Sequence, residues 1–163
     1  MTEPRTLPAL ILAASVAVLG GAFLFQYVGG LAPCVLCIYQ RYPYGVTIAL
    51  SAAAFFVADR RARGALLLIC GLAFLAGAGI AAFHVGVEKH WWEGTAACTG
   101  EIGPAGSLEE LRAQIMATPV VRCDRVAWSL FGISMAGYNL LISLLLAAVS
   151  VWAARRTMRE ERQ

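Results

Sequence analysis

Charge is scarce in this chain. Only 14% of its 163 residues are Asp, Glu, Lys or Arg, against 60% hydrophobic, and the mean hydropathy is +0.70. A soluble domain of this size needs far more polar surface, so the composition points instead to an integral membrane protein. The formal net charge of +3 is too small to suggest a nucleic-acid partner. Internal repeats and low-complexity tracts are absent beyond the apolar runs themselves. Cysteine is sparse as well: there are five, with one close pair, Cys34 and Cys37. Cys98 and Cys123 lack a second close pair, and Arg41 near the first is a poor neighbour for a divalent cation, so no metal is expected.

What the chain does have is long apolar runs. Leu7 to Val28 is 22 residues broken only by Ser15 and Gln26, about the length that crosses a hydrocarbon core. A cleaved signal peptide would have a shorter apolar region and a more basic leading segment than Met1–Thr6, so an uncleaved span is expected. A second run covers residues 37–58, with Pro43 near its start, where a helix tolerates proline best. Asp59–Gly64 reads as a tight basic turn. The third run, residues 65–87, is rich in Ala and Gly (Gly71, Gly77, Gly79), which lets helices approach closely in a bilayer. The fourth lies at residues 134–154 and ends at Arg155-Arg156. The expected fold is all-α: one membrane domain, a bundle of four transmembrane helices.

Basic residues orient such a bundle. Arg5, Arg60/Arg61/Arg63 and Arg155/Arg156/Arg159/Arg162 fall on one side of a four-span chain, which should be the cytoplasm and hold both termini. The loops 29–36 and 88–125 then share the opposite side with Cys34, Cys37, Cys98 and Cys123, where disulfides form and persist. The second loop, 38 residues long, exceeds ordinary connections. Its half from Glu93 to Gly106, with four glycines and Pro104, should be mobile. Ser107-Leu108-Glu109-Glu110 then has a capping-box pattern opening a short amphipathic helix. Its apolar stripe, Leu108, Leu111 and Ile115, suits the membrane–water interface or packing on the bundle, and Trp91 and Trp92 suit an interfacial belt.

Pro33-Cys34-Val35-Leu36-Cys37-Ile38-Tyr39-Gln40-Arg41 carries the chemistry. Helical from about Val35, it puts Cys34, Cys37 and Arg41 on one face. A helix N-terminus and a guanidinium both favour a thiolate, the reactive form in disulfide exchange. Arginine suits this better than lysine because burial does not neutralise it. The motif reads as a redox centre, with a metal-binding pair or an inert disulfide as the bland alternatives. Cys70, alone in an apolar run, reads as a buried small hydrophobe.

Gln26, eight residues before Cys34, the Pro33–Arg41 motif and Gly45 together resemble the disulfide bond formation protein B (DsbB) family. Cys123-Asp124-Arg125-Val126-Ala127-Trp128 with Phe131-Gly132 resembles that family's approach to its fourth span. The resemblance implies a quinone-dependent thiol oxidase of the bacterial inner membrane, active towards the periplasm in protein folding. By it, Cys98 and Cys123 form a loop disulfide that meets a soluble DsbA-like protein of thioredoxin fold, Cys98 being the sulfur in the mixed disulfide. Electrons then pass to the Cys34–Cys37 disulfide and on to ubiquinone or menaquinone. Cys37 is the thiolate facing the quinone, Arg41 stabilises negative charge there, and Gln26 contributes to the pocket or glues helices together. His84 matches a family histidine near the quinone, with His90 competing for that alignment, and His84 or Glu88 serves as the acid. Gln40 departs from the acidic residue sometimes found before the arginine, and the Cys98–Cys123 spacing is slightly short. Two other classes compete. A vitamin K epoxide reductase-like enzyme is disfavoured because its cysteine pair sits late in the helical core. A non-enzymatic membrane protein with structural disulfides would bind no quinone.

Overall fold

Thr6–Tyr27 forms α1, whose buried positions Pro8, Ile11 and Ser15 recur at helical spacing and leave the rest of its surface outward. These and the following elements come from a computed structural model describing residues 5–99, 104–117 and 121–159. Residues 100–103 of the glycine-rich half-loop and Arg162 of the basic tail lie outside the described residues. The run expected at 37–58 is two abutting helices, α2 (Val35–Tyr39) and α3 (Arg41–Phe56), joined at Gln40. Pro43 stands in the first turn of α3, where the missing N–H has no intrahelical partner to lose. Ser15 ties α1 to α3 through a 3.1 Å hydrogen bond with Thr47.

Helix α4 (Arg60–Glu88) starts earlier than the sequence suggests, so the basic stretch read as a turn is its first turn. The reason is its cap. The Asp59 carboxylate accepts the Ala62 N–H at 2.7 Å, and a negative group there also offsets the arginines at the positive end of the helix. Arg63 points inward and is only 4% exposed. Its Nε donates to the Ala54 carbonyl at 3.3 Å and its guanidinium Nη2 to the Val57 carbonyl at 2.6 Å, closing the C-terminus of α3.

After α4 come two short helices, α5 (Ala96–Thr99) and α6 (Leu108–Ala117). Ser107 caps α6 by accepting the Glu110 N–H at 3.1 Å. The Glu110 carboxylate reaches back one residue further than in a capping box, to the Gly106 N–H at 2.9 Å. Leu108 and Ile115 are exposed. Strands β1 (Ser129–Leu130) and β2 (Ile133–Ser134) then make a two-residue-loop hairpin, the one β structure among the described residues. Phe131 and Gly132 both have positive φ, 50° and 76°, as a tight hairpin turn requires. Helix α7 (Met135–Arg159) closes the bundle.

The core lies among α1, α3, α4 and α7, where Ile11, Leu67, Cys70, Phe74 and Ala154 are buried. Tyr44 meets Phe74 edge-on at 5.7 Å between centroids. Small residues set the spacing: a Cβ on Gly71 would come within 2.9 Å of Val151, and one on Gly77 within 3.3 Å of Pro43. Gly79 instead faces open space, so the close packing expected of the three glycines is confined to two. At the far end of α4, the Trp92 indole lies across Gly86 and donates to the Phe83 carbonyl at 3.0 Å, and both Trp91 and Trp92 are exposed.

Among the described residues three helices, α1, α4 and α7, are long and apolar enough to cross a membrane; the 16 residues of α3 are too few by that measure. Leu10, Leu24, Leu72, Leu145 and Trp152 stand exposed on their outer faces. Exposed apolar surface on this scale suits lipid, not water. The chain is built as a mostly helical membrane protein.

Candidate redox site

Cys34 is the N-cap of α2, with an extended backbone. Its sulfur accepts the Cys37 N–H at 3.3 Å and lies 2.8 Å from the Cys37 sulfur. The four-residue repeat therefore does what its spacing suggests: it folds both thiols onto the first turn of one helix, at the end where unpaired N–H groups gather.

The distant cysteines come to the same place. Cys34, Cys98 and Cys123 share a buried cluster with Leu36 and Val87, and Cys37 packs at its edge. The Cys123 N–H donates to the Cys98 carbonyl at 3.1 Å, and the two cysteines pack with Cys34 in that cluster. Cys98 sits on α5, with the Thr95 hydroxyl 3.3 Å from its sulfur, and neither Cys98 nor Cys123 has exposed surface.

Burial, with Cys98 alongside, pushes the Cys123 thiol from the ordinary 9.0 up to about 11. The sign is plain: a raised value means less thiolate at any given pH. In the reduced protein, alkylation of Cys123 should therefore climb about tenfold per pH unit well beyond pH 9. Mass spectrometry of the labelled peptide checks this. A plateau near pH 9 would mean an ordinary thiol.

Beside the sulfurs is a cavity of about 380 Å³, largely apolar, lined by Ala17, Leu31, Trp128 and Ile142 together with Cys34 and Cys37. Its polar lining is small and convergent. The Arg41 guanidinium donates to Gln26 Oε1 at 2.6 Å and lies 5.0 Å over the Phe23 ring. His84 Nε2 is 3.6 Å from the Cys34 sulfur and 3.9 Å from Glu88 Oε1, and its Nδ1 is 2.8 Å from Gln40 Nε2. Ser134 donates to the other Glu88 oxygen. An apolar chamber with a few fixed polar groups has the usual make-up of a small-molecule site. Cys34, Cys37 and His84 also place ligand atoms within 4.8 Å of one another, three donors where a tetrahedral site takes four.

Of the residues singled out in the sequence, Cys34, Cys37, Arg41, His84 and Glu88 line this cavity, Gln26 is bonded to Arg41, Cys98 and Cys123 cluster beside Cys34, and Cys70 lies apart in the bundle core. The two histidines part company: His84 is buried in the cavity wall, whereas His90 is exposed at φ 57°, with Nδ1 against the Glu88 carbonyl at 3.1 Å. Sequence reasoning missed Tyr44, Asn139 and Ser134. Asn139 was the findable one, because an amide inside an apolar run is costly in a bilayer and needs a partner.

A family model, "Disulfide bond formation protein DsbB", matches residues 4–153. Disulfide bond formation protein B of Verminephrobacter eiseniae is 32% identical over 167 residues, covering 98% of this chain and 91% of that protein. The protein of the same name from Polaromonas is 29% identical over 164 residues, covering 96% and 94%. An uncharacterised protein of Rickettsia prowazekii is 28% identical over 144 residues, covering 87% and 83%. No solved structure matches the chain.

Proposed function

Since the chain belongs to the DsbB family of disulfide bond formation proteins, we propose that it reoxidises a soluble DsbA-like thiol oxidant and passes the electrons to membrane quinone. The observation that carries this is the buried cluster of Cys98, Cys123 and Cys34, with half-buried Cys37 at its edge beside an apolar cavity. A partner dithiol, losing two electrons and two protons, becomes a disulfide as the Cys98–Cys123 bond is reduced. Cys98 is the sulfur that forms the mixed disulfide. Cys123 then attacks Cys34, the Cys34–Cys37 bond breaks, and the loop disulfide is restored as both thiols of the first pair are freed. Cys37, at the cavity, delivers the electron pair and Cys34–Cys37 reforms.

The cavity fits a quinone ring by its lining: mostly apolar surface, a cysteine sulfur, a guanidinium and an imidazole. Ubiquinone or menaquinone, when bound, supplies the acceptor for two electrons and two protons. Arg41 holds positive charge where the accepting oxygen gains negative charge, Gln26 steadies the guanidinium, and His84 or Glu88 carries a proton. The reading also commits to topology. α2 and α3 together make the second of four spans, both termini are cytoplasmic, and loops 29–36 and 88–125 face the periplasm across the inner membrane. Arg5, Arg60, Arg61, Arg155 and Arg156, near the ends of α1, α4 and α7, support that orientation.

The test is anaerobic titration of purified protein with reduced DsbA-like partner, with and without quinone, following partner thiols and quinone absorbance. One quinone is expected to be reduced per partner disulfide formed, whereas Cys37→Ser should reduce no quinone and oxidise at most one equivalent of partner. Catalytic partner oxidation that needs no quinone, or survives loss of Cys37, would falsify the relay.

A further inference from the structure

The hydrogen bonds behind His84 have a direction. Tyr44 donates its hydroxyl to Asn139 Oδ1 at 2.7 Å, and Ser143 lies 2.9 Å from the Tyr44 oxygen. Asn139 Nδ2 donates to Gln40 Oε1 at 2.5 Å. Gln40 Nε2 then meets His84 Nδ1 at 2.8 Å. A carboxamide has one accepting end and one donating end, so each link fixes the next. Here the Tyr44 hydroxyl donates to the Asn139 oxygen, which leaves the Asn139 NH2 to Gln40 and the Gln40 NH2 to the ring. An NH2 facing Nδ1 requires Nδ1 to accept. The ring proton is then on Nε2, the nitrogen 3.6 Å from the Cys34 sulfur.

We propose that Tyr44, Asn139 and Gln40 are positioning residues that lock His84 as its Nε2–H tautomer and so aim an N–H at the Cys34 sulfur. Burial enforces the lock. Tyr44, Gln40, His84 and Ser143 are all buried, so turning over Gln40 alone would set two donors face to face, and turning over Asn139 alone two acceptors. The break between α2 and α3 falls at Gln40, which is how one side chain reaches both α4 and α7. Glu88 does not compete for the N–H at hydrogen-bond length, since its nearer oxygen is 3.9 Å away and its other oxygen is taken by Ser134. The lock makes His84 a donor at this sulfur, not a base, because Nε2 already holds its proton. The consequence for electron transfer rests on the thiol–quinone reading above: the N–H favours the Cys34 thiolate that is released when the Cys34–Cys123 mixed disulfide opens.

The tautomer can be read without turnover. The chain has two histidines, so [15N]histidine labelling gives two ring systems, and His84→Gln identifies the one of interest. Long-range 1H–15N spectra of the resting protein, without partner or quinone, should show His84 as a single species protonated at Nε2. Gln40→Leu and Asn139→Leu should both yield a mixture of tautomers, although Asn139 is not bonded to the ring. Gln40→Glu, nearly the same shape, offers only acceptors and should move the proton onto Nδ1. Turnover should fall about tenfold in Asn139→Leu. A wild-type ring protonated only at Nδ1, or an unchanged single tautomer in all three variants, overturns the proposal. Because the spectra use resting protein, failure of the oxidase reading leaves the tautomer result standing, and the reverse also holds.

Discussion

Cys123→Ser should abolish partner-driven turnover, with a loss of at least ~10³-fold, while leaving the first cysteine pair chemically competent. Cys123 is hydrogen-bonded through its backbone to Cys98 and packs with Cys34 in the same cluster. Serine nearly preserves its volume in the cluster with Leu36 and Val87, so the packing should survive. What is lost is the attack on Cys34. A small dithiol that reduces Cys34–Cys37 directly should still drive quinone reduction in the variant. Cys98 meanwhile loses its resolving neighbour. Mixed with oxidised partner, its thiolate should displace one partner thiol and stop at a stable mixed disulfide, visible as a one-to-one adduct on a non-reducing gel. Partner turnover above a tenth of wild type would show that electrons reach Cys34 by another route.

Arg41→Gln should lower quinone reduction by about a hundredfold, mostly in the chemical step. The guanidinium is bonded to a neutral amide, Gln26, and stacked over Phe23, so its positive charge is not already spent on a carboxylate. Arg41→Lys should recover part of the loss, since the charge returns without the fork. Gln26→Leu should cost only a few-fold, about what losing one neutral hydrogen-bond partner implies. Steady-state kinetics in quinone, separating kcat from KM, distinguishes these cases. A change of less than about threefold in Arg41→Gln would make the residue an interfacial anchor.

Local features were legible in the sequence because their causes are local. The helix starting at Val35 follows from a capping residue and the apolar run behind it, and burial of Cys70 follows from its surroundings. Two short-range features still escaped. Asp59 pulls the start of α4 back over the basic residues, and Gln40 divides what reads as one continuous run. Arg63 looked like a surface charge, yet it closes the end of α3, which only the turn between the helices explains. The long-range features had no one-dimensional signature. Gln40 and Asn139 are 99 residues apart, and nothing in either neighbourhood announces the other. The placing of Cys123 beside Cys98 and Cys34 likewise depends on how it and Val121 pack against Leu36 of α2 and Val87 of α4.

The sealing of Cys98 has a consequence for selectivity. A sulfur with no exposed surface is not offered to every thiol that drifts past. To reach it, the short stretch around α5 must first be lifted from Leu36 and Val87. A protein with a matching surface offsets that cost through the contacts it gains elsewhere, whereas a small thiol has nothing to offset it with. On the proposed relay, entry through Cys98 would then be kept for proteins able to open this lid, and a small thiol would have to find another way in.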